Sequence, residues 1–240
     1  MSSPQFNPRL KMIKFYFSGA PNPAKVALFL EESGLPYEVI PVDTRKGEQH
    51  APAITALNPN AKVPILVDGD AVVFDSNAIL LYLAEKTGQF LPANTPAARA
   101  QMHSWLMFVA SGIGPYSGQA VHFRHYAPQP EPYALNRYDF EAWRHWNIIE
   151  ARLAGQRYML GDDYTLVDMA LWGWARALPF SLGGAEAWAK LPHVKRWFDE
   201  INARPAAQRV DAIKARFTFK TEMDVEARKA MFPQNERLAG

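Results

Sequence analysis

The chain has 240 residues, 48% of them apolar, and a formal net charge of +2. That suits one large folded unit or two small ones, and no basic block marks it for nucleic acid. It contains no cysteine, which excludes disulfide staples, thiolate metal sites and any protein cysteine nucleophile. No apolar run is long enough to span a membrane and the N-terminus lacks a signal-peptide stretch, so a cytoplasmic protein with no membrane or nucleic-acid partner is expected.

Residues 1–11, polar with two prolines, read as a loose arm. Lys14 to Phe17 reads as a strand and Ser18-Gly19-Ala20-Pro21 as a turn. Asn22-Pro23 then reads as a helix start, with Asn22 as cap and Pro23 at the first helical position. Val26, Phe29 and Leu30 give that helix an apolar stripe that stops at Gly34. A second strand is expected over 37–42 and a short, weak helix over 47–57. Pro64–Val67 and Ala71–Phe74 are two short strands joined at Asp68-Gly69-Asp70, a hairpin signal, and the helix from Ser76 to Lys86 closes at Gly88. The order is β-α-β, short helix, β-β-α, a small α/β unit of the thioredoxin type with a right-handed parallel crossover.

A proline-bearing linker, Leu91-Pro92 to Thr95-Pro96, ends the strand signals. Met102, Trp105, Leu106 and Val109 mark a long amphipathic helix that Gly112 and Gly114-Pro115 should bend. A three-proline loop over 127–132 precedes a second long helix over 133–153. Thr165-x-x-Asp168 forms a capping box opening an apolar helix through Met169, Ala170 and Trp174. Further helices are expected over about 190–203 and 206–216, and the charged tail from Thr218 is expected to dock late or stay mobile. The fold class is thus α/β followed by all-α, divided as 12–90 and 97–216, with terminal extensions at 1–11 and 217–240.

Two motifs carry chemistry. In Asn60-Ala61-Lys62-Val63-Pro64, proline opens a β-branched run at the one kind of peptide bond where cis is cheap. A cis Pro64 turns the Val63 amide and carbonyl outward, where an extended ligand can pair with them; a strand that merely begins at proline is the competing reading. In Asp75-Ser76, one residue caps the helix and the other is free at its positive end to hold an ammonium or carboxylate, although simple capping accounts for the pair in isolation.

Together with the Thr165-x-x-Asp168 box, these motifs make the chain resemble a cytosolic glutathione transferase over residues 12–215. Gly112-Ile113-Gly114-Pro115, Gly118-Gln119, His122-Phe123, His125, Ala127-Pro128-Gln129 and Tyr133-Ala134 with Arg137-Tyr138 resemble the bacterial nu class more narrowly. Members of that class resemble the fungal nitrogen-regulator protein and act as glutathione-dependent disulfide-bond oxidoreductases.

The resemblance implies an N-terminal thioredoxin-like domain, a helical C-terminal domain and glutathione as cosubstrate. Val63 would pair its backbone with the cysteinyl part, and Asp75 and Ser76 would hold the γ-glutamyl head. Gln49 would reach the glycyl end with Lys62 nearby, and Arg137 would lie over the cleft, unless it is an ordinary surface charge. The nu pattern places a threonine and an asparagine in the first turn; here these positions read Ala20 and Asn22. Asn22 would then contact the thiol as the catalytic residue, with Ser18 and Tyr16 as alternatives, while its capping role competes. A free thiol titrates near ~8.5, and a helix N-terminus favours its anion. His122, His125 and Tyr126 would line the acceptor pocket, neither histidine acting as acid or base.

The implied activity is disulfide reduction with every sulfur drawn from substrate. The alternatives are glutathione transfer or peroxide reduction on small electrophiles, or a non-catalytic glutathione-binding regulator. A homodimer is implied and no metal, His103 and His193 reading as ordinary helix or loop residues.

Overall fold

The computed structural model describes residues 12–238, so the N-terminal arm over 1–11 lies outside the described residues. Strand β1 (Ile13–Phe17) alternates buried and open side chains, sending Ile13, Phe15 and Phe17 into the core. Helix α1 (Pro21–Ser33) crosses to β2 (Tyr37–Pro41), which pairs parallel to β1 with Phe15 opposite Val39. A 3₁₀ turn at Glu48–His50 and a single helical turn, α2 (Pro52–Thr55), stand where one short helix was expected. Strands β3 (Ile65–Asp68) and β4 (Ala71–Phe74) pair antiparallel, and β3 also pairs antiparallel to β1, giving the order β2-β1-β3-β4. Helix α3 (Ser76–Thr87) ends at Gly88 in the left-handed conformation that glycine adopts without strain.

The first helix begins earlier than its asparagine suggested. Pro21 has its φ preset and no N–H to satisfy, so it takes the first helical position. Ala20 stands at the cap without a side-chain hydrogen bond, and Asn22 falls inside the first turn, its side chain released from capping.

The second half contains α4 (Pro96–Phe108), α5 (Gly114–Val121), α6 (Pro132–Ala154), α7 (Leu166–Ala175), the short α8 (Leu178–Ser181) and α9 (Ala187–Lys190), then α10 (Pro192–Asn202) and α11 (Pro205–Ala215). The expected bend after α4 is not a break. The backbone widens into π-helical turns at Val109–Ile113 and His122–Tyr126, one on each side of α5. Gly112 admits the buried His145 ring, since a Cβ there would lie 2.4 Å from His145 Cδ2.

Both halves share one hydrophobic core, in which Phe15, Phe29 and Leu80 continue into Trp146, Trp172 and Trp197. Helix α1 packs directly on α7 because Gly173 has no side chain: a Cβ there would meet Pro21 O at 2.4 Å and Lys25 Cγ at 2.5 Å. The Thr165–Asp168 box starts α7 as expected. Asp168 Oδ2 accepts from the Thr165 amide (2.9 Å) and hydroxyl (3.1 Å), and Oδ1 accepts from Met159 N and Trp197 Nε1, both at 2.9 Å.

Of the two outcomes left open for the C-terminal segment, the structure shows docking. The segment folds back across the molecule and forms α12 (Val225–Met231) and a 3₁₀ turn at Pro233–Leu238. Asp43 accepts from Lys220 N (2.7 Å), Arg45 donates to the Lys220 carbonyl (3.1 Å), and Arg228 donates to the Tyr126 carbonyl (3.0 Å). Among the described residues, no helix is long and apolar enough to cross a membrane.

Candidate functional site

The start of α3 stands beside a cleft of about 600 Å³ between the two halves. Asn22, Lys62, Asp75 and Ser76 face it from the sheet side; Gly114, His122 and Trp174 face it from the helices, and Met231 and Phe232 from the folded-back tail. Five residues singled out in the sequence as site candidates, Asn22, Lys62, Asp75, Ser76 and His122, therefore share one cavity.

Asp75 is held at φ 71°, a backbone region that non-glycine residues enter only at a cost of roughly 1–3 kcal/mol. Its Oδ1 accepts from Asn77 N (2.9 Å) and Ala78 N (3.2 Å), capping α3. Its Oδ2 has no hydrogen-bond partner among the described residues and is available to an ammonium group. Ser76 follows at the first helical position, where the helix end favours an anion. One carboxylate and one hydroxyl at a helix start match the two charges of an α-amino acid head.

The Val63–Pro64 peptide bond is cis. Strand β3 is interior, so the open backbone is the stretch just before it: Val63 N–H and C=O have no partner among the described residues. The Lys62 carbonyl is tied by Asn58 Nδ2 at 2.8 Å, which sets the direction of this stretch.

Pro21 and Pro23 carry no N–H, and the Ala24 amide bonds to Ala20 O. In the first turn of α1 the backbone donor without a partner among the described residues is therefore that of Asn22, a residue that borders the cleft. A sulfur anion placed there would find that backbone N–H and a side-chain amide on one residue.

Other candidates lie elsewhere. Gln49 is buried, and its Nε2 donates to Ala230 O of the tail at 3.1 Å. Arg137 pairs with Glu141 at 2.6 Å along α6 and is not among the cleft residues. Ser18 is buried beside a second cavity of about 330 Å³ on the other side of the β1–α1 turn, which Tyr126 also borders. Tyr16 packs with Val42, Ile54 and Ile65 on the opposite face of the sheet. His125 stacks on Phe180 with ring centres 3.9 Å apart, whereas His122 borders the cleft against Phe232, and burial pushes its imidazole pKa down. Among the described residues no group of His, Asp and Glu could hold a metal ion.

Sequence reasoning missed Lys25, Trp174 and the tail pair Met231 and Phe232 as cleft residues. Lys25 left one signal, a lone charge inside the apolar run of α1 where every residue from Pro23 to Leu30 is buried.

Residues 20–86 match the family described as the glutathione S-transferase N-terminal domain, and residues 121–205 match its C-terminal domain. Over 202 residues the chain is 42% identical to a disulfide-bond oxidoreductase of Escherichia coli K12 (YfcG), covering 81% of this chain and 92% of that one. A glutathione transferase family member from Pseudomonas fluorescens, solved with two glutathione bound, is 34% identical with TM-score 0.79, covering 85% of this chain and 94% of that one. A Phanerochaete chrysosporium glutathione transferase in complex with oxidised glutathione is 35% identical with TM-score 0.79, covering 86% of this chain and 97% of that one.

Proposed function

Because the chain belongs to the glutathione S-transferase family, we propose that it is a glutathione-dependent disulfide-bond reductase in which all the sulfur comes from substrate. The observation that carries this reading is the convergence of Asp75, Ser76 and Asn22 on one cleft in a chain without cysteine. The 12–90 half holds glutathione, its γ-glutamyl ammonium on Asp75, its α-carboxylate at Ser76, its cysteinyl backbone along Val63 and its thiol at Asn22. Lys62 is the cation beside the peptide. Gln49 and Arg137 join only if the tail frees the first and Glu141 the second. The 97–216 half receives the acceptor.

The thiolate at Asn22 attacks one sulfur of the acceptor disulfide. A sulfur–sulfur bond forms, the acceptor's own bond breaks, and the released thiolate takes a proton from solvent. A second glutathione then attacks the mixed disulfide, giving oxidised glutathione and the second acceptor thiol. The protein's contribution is to bias the thiol towards its anion and to align three sulfurs in line. A cytoplasmic setting accompanies this reading, because the reduced glutathione pool drives the exchange there.

With 2-hydroxyethyl disulfide, glutathione, glutathione reductase and NADPH, the protein is expected to oxidise NADPH well above the uncatalysed rate. Glutathione binding without turnover of this disulfide would make the chain a binding protein instead.

We also propose a homodimer in which each sheet half faces the partner's helical half. Phe74 on β4, Met107 on α4 and Phe140 on α6 leave large apolar surfaces open (44%, 53% and 61% exposed). Light scattering at micromolar protein should give twice the chain mass of 27.0 kDa, and a monomer mass rejects the arrangement.

A further inference from the structure

We propose that Lys25 is a buried positioning cation of the head-group site: its ammonium supports Ser76 from below and faces the ligand's α-carboxylate, so binding a γ-glutamyl compound draws a proton into the protein. This deepens the glutathione reading and rests on it.

Lys25 is only 1% exposed, and lysine is almost never fully buried unless paired. Its stem passes over Gly173 of the helical half, and its Nζ lies 3.3 Å from Ser76 Oγ in the sheet half. That hydroxyl is neutral. Among the described residues Lys25 has no ion-pair partner and makes one side-chain hydrogen bond, although an ammonium carries three donors. Because Lys25 also borders the cleft, a ligand carboxylate beside Ser76 would supply the missing anion.

The other charged groups around it are these. Asp75 at the start of α3 is the one that acts on Lys25. On α7, Asp168 is committed to Thr165, Met159 and Trp197. On α11, Arg209 pairs with Glu31 and Asp211 with Arg176, while Lys214 approaches Gly19. On α1 itself, Glu32 pairs with Arg204. Burial pushes the Lys25 ammonium down from 10.5 to about 7, and Asp75 offsets only part of that. A bound carboxylate favours the charged form and raises the value again. Affinity is therefore greatest below pH 7 and declines as pH rises through the value reached in the complex.

S-methylglutathione isolates the effect, because its sulfur carries no proton. Calorimetric titration at pH 7.5 in phosphate and in Tris, which differ in ionisation enthalpy, should report uptake of roughly half a proton per site. Lys25→Met should abolish the uptake and weaken binding about tenfold or more. His122, the histidine at the cleft, remains in that variant as an internal control. Lys25→Arg, permanently charged, should bind without uptake and with a flatter pH dependence. Circular dichroism checks folding, and Lys25→Gln replaces Lys25→Met if the latter fails to fold. Equal affinity and equal uptake in the unsubstituted protein and Lys25→Met overturn the proposal, as does binding without uptake in the unsubstituted protein. No heat at all from the unsubstituted protein overturns the glutathione reading itself.

Discussion

An Asp75→Asn variant is expected to bind glutathione about 100-fold more weakly than the unsubstituted chain while unfolding at nearly the same urea concentration. The asparagine carbonyl still accepts from Asn77 N and Ala78 N, so α3 keeps its cap, and asparagine tolerates a positive φ at least as well as aspartate. The charge opposite the ligand ammonium is lost, and with it the carboxylate's support of the Lys25 ammonium. Removing one partner of a charge-assisted pair in a confined site costs about 3 kcal/mol, which is the expected factor. Asp75→Ala removes the cap as well and should lose a further ~1 kcal/mol of stability. Calorimetry and urea unfolding on the two variants separate the carboxylate's two duties. A dissociation constant for Asp75→Asn within threefold of the original would remove Asp75 from the binding site.

Asp168→Ala is expected to cost about 3–5 kcal/mol of stability, enough to unfold much of the protein at 37 °C. The side chain is fully buried and its two oxygens accept four hydrogen bonds, from Met159 N, Trp197 Nε1, Thr165 N and Thr165 Oγ1. Truncation leaves three of these donors, Met159 N, Thr165 N and Trp197 Nε1, buried without an acceptor in the same small space. It also loosens α7, against which α1 and hence the cleft floor are packed. Urea unfolding followed by tryptophan fluorescence measures the loss, since Trp197 is one of the donors. A midpoint shift corresponding to less than ~1 kcal/mol would mean that relaxation or water replaces the carboxylate.

What could be read in advance followed local chemistry. Val63-Pro64, Asp75-Ser76 and Thr165-x-x-Asp168 each announce a backbone event set by a few neighbouring residues, and the structure contains each event: the cis bond, the cap and the capping box. The order of strands and helices was legible for the same reason, through period and punctuation. Lys25 was not, because a charge on a helix reads as a solvated face until the neighbouring helix is known to bring a glycine against it. Gln49 depended on long-range company and Arg137 on a neighbour in its own helix. The first meets a carbonyl 181 positions away, and the second is taken by Glu141 one turn along its own helix. The π-helical turn at Val109–Ile113 was read only as a bend, since glycine permits a widened backbone without announcing it, and the one at His122–Tyr126, which has no glycine, was not anticipated. For the tail both docking and mobility were open, because its contacts run through backbone carbonyls and amides that composition does not reveal; it is docked.

The common core of the two halves decides how a molecule gets in and out. Phe90 stacks edge-on against Phe29 and Tyr164 at once, and Leu166 N donates to the Phe90 carbonyl at 3.0 Å, so prying the walls apart would tear packed rings and a helix start. At the rim the tail is held more lightly, by the contact of Phe232 with His122 and by the hydrogen bonds that Gln49, Asp43 and Tyr126 make to it. Separating the halves would therefore disturb more packed structure than lifting the tail from the rim.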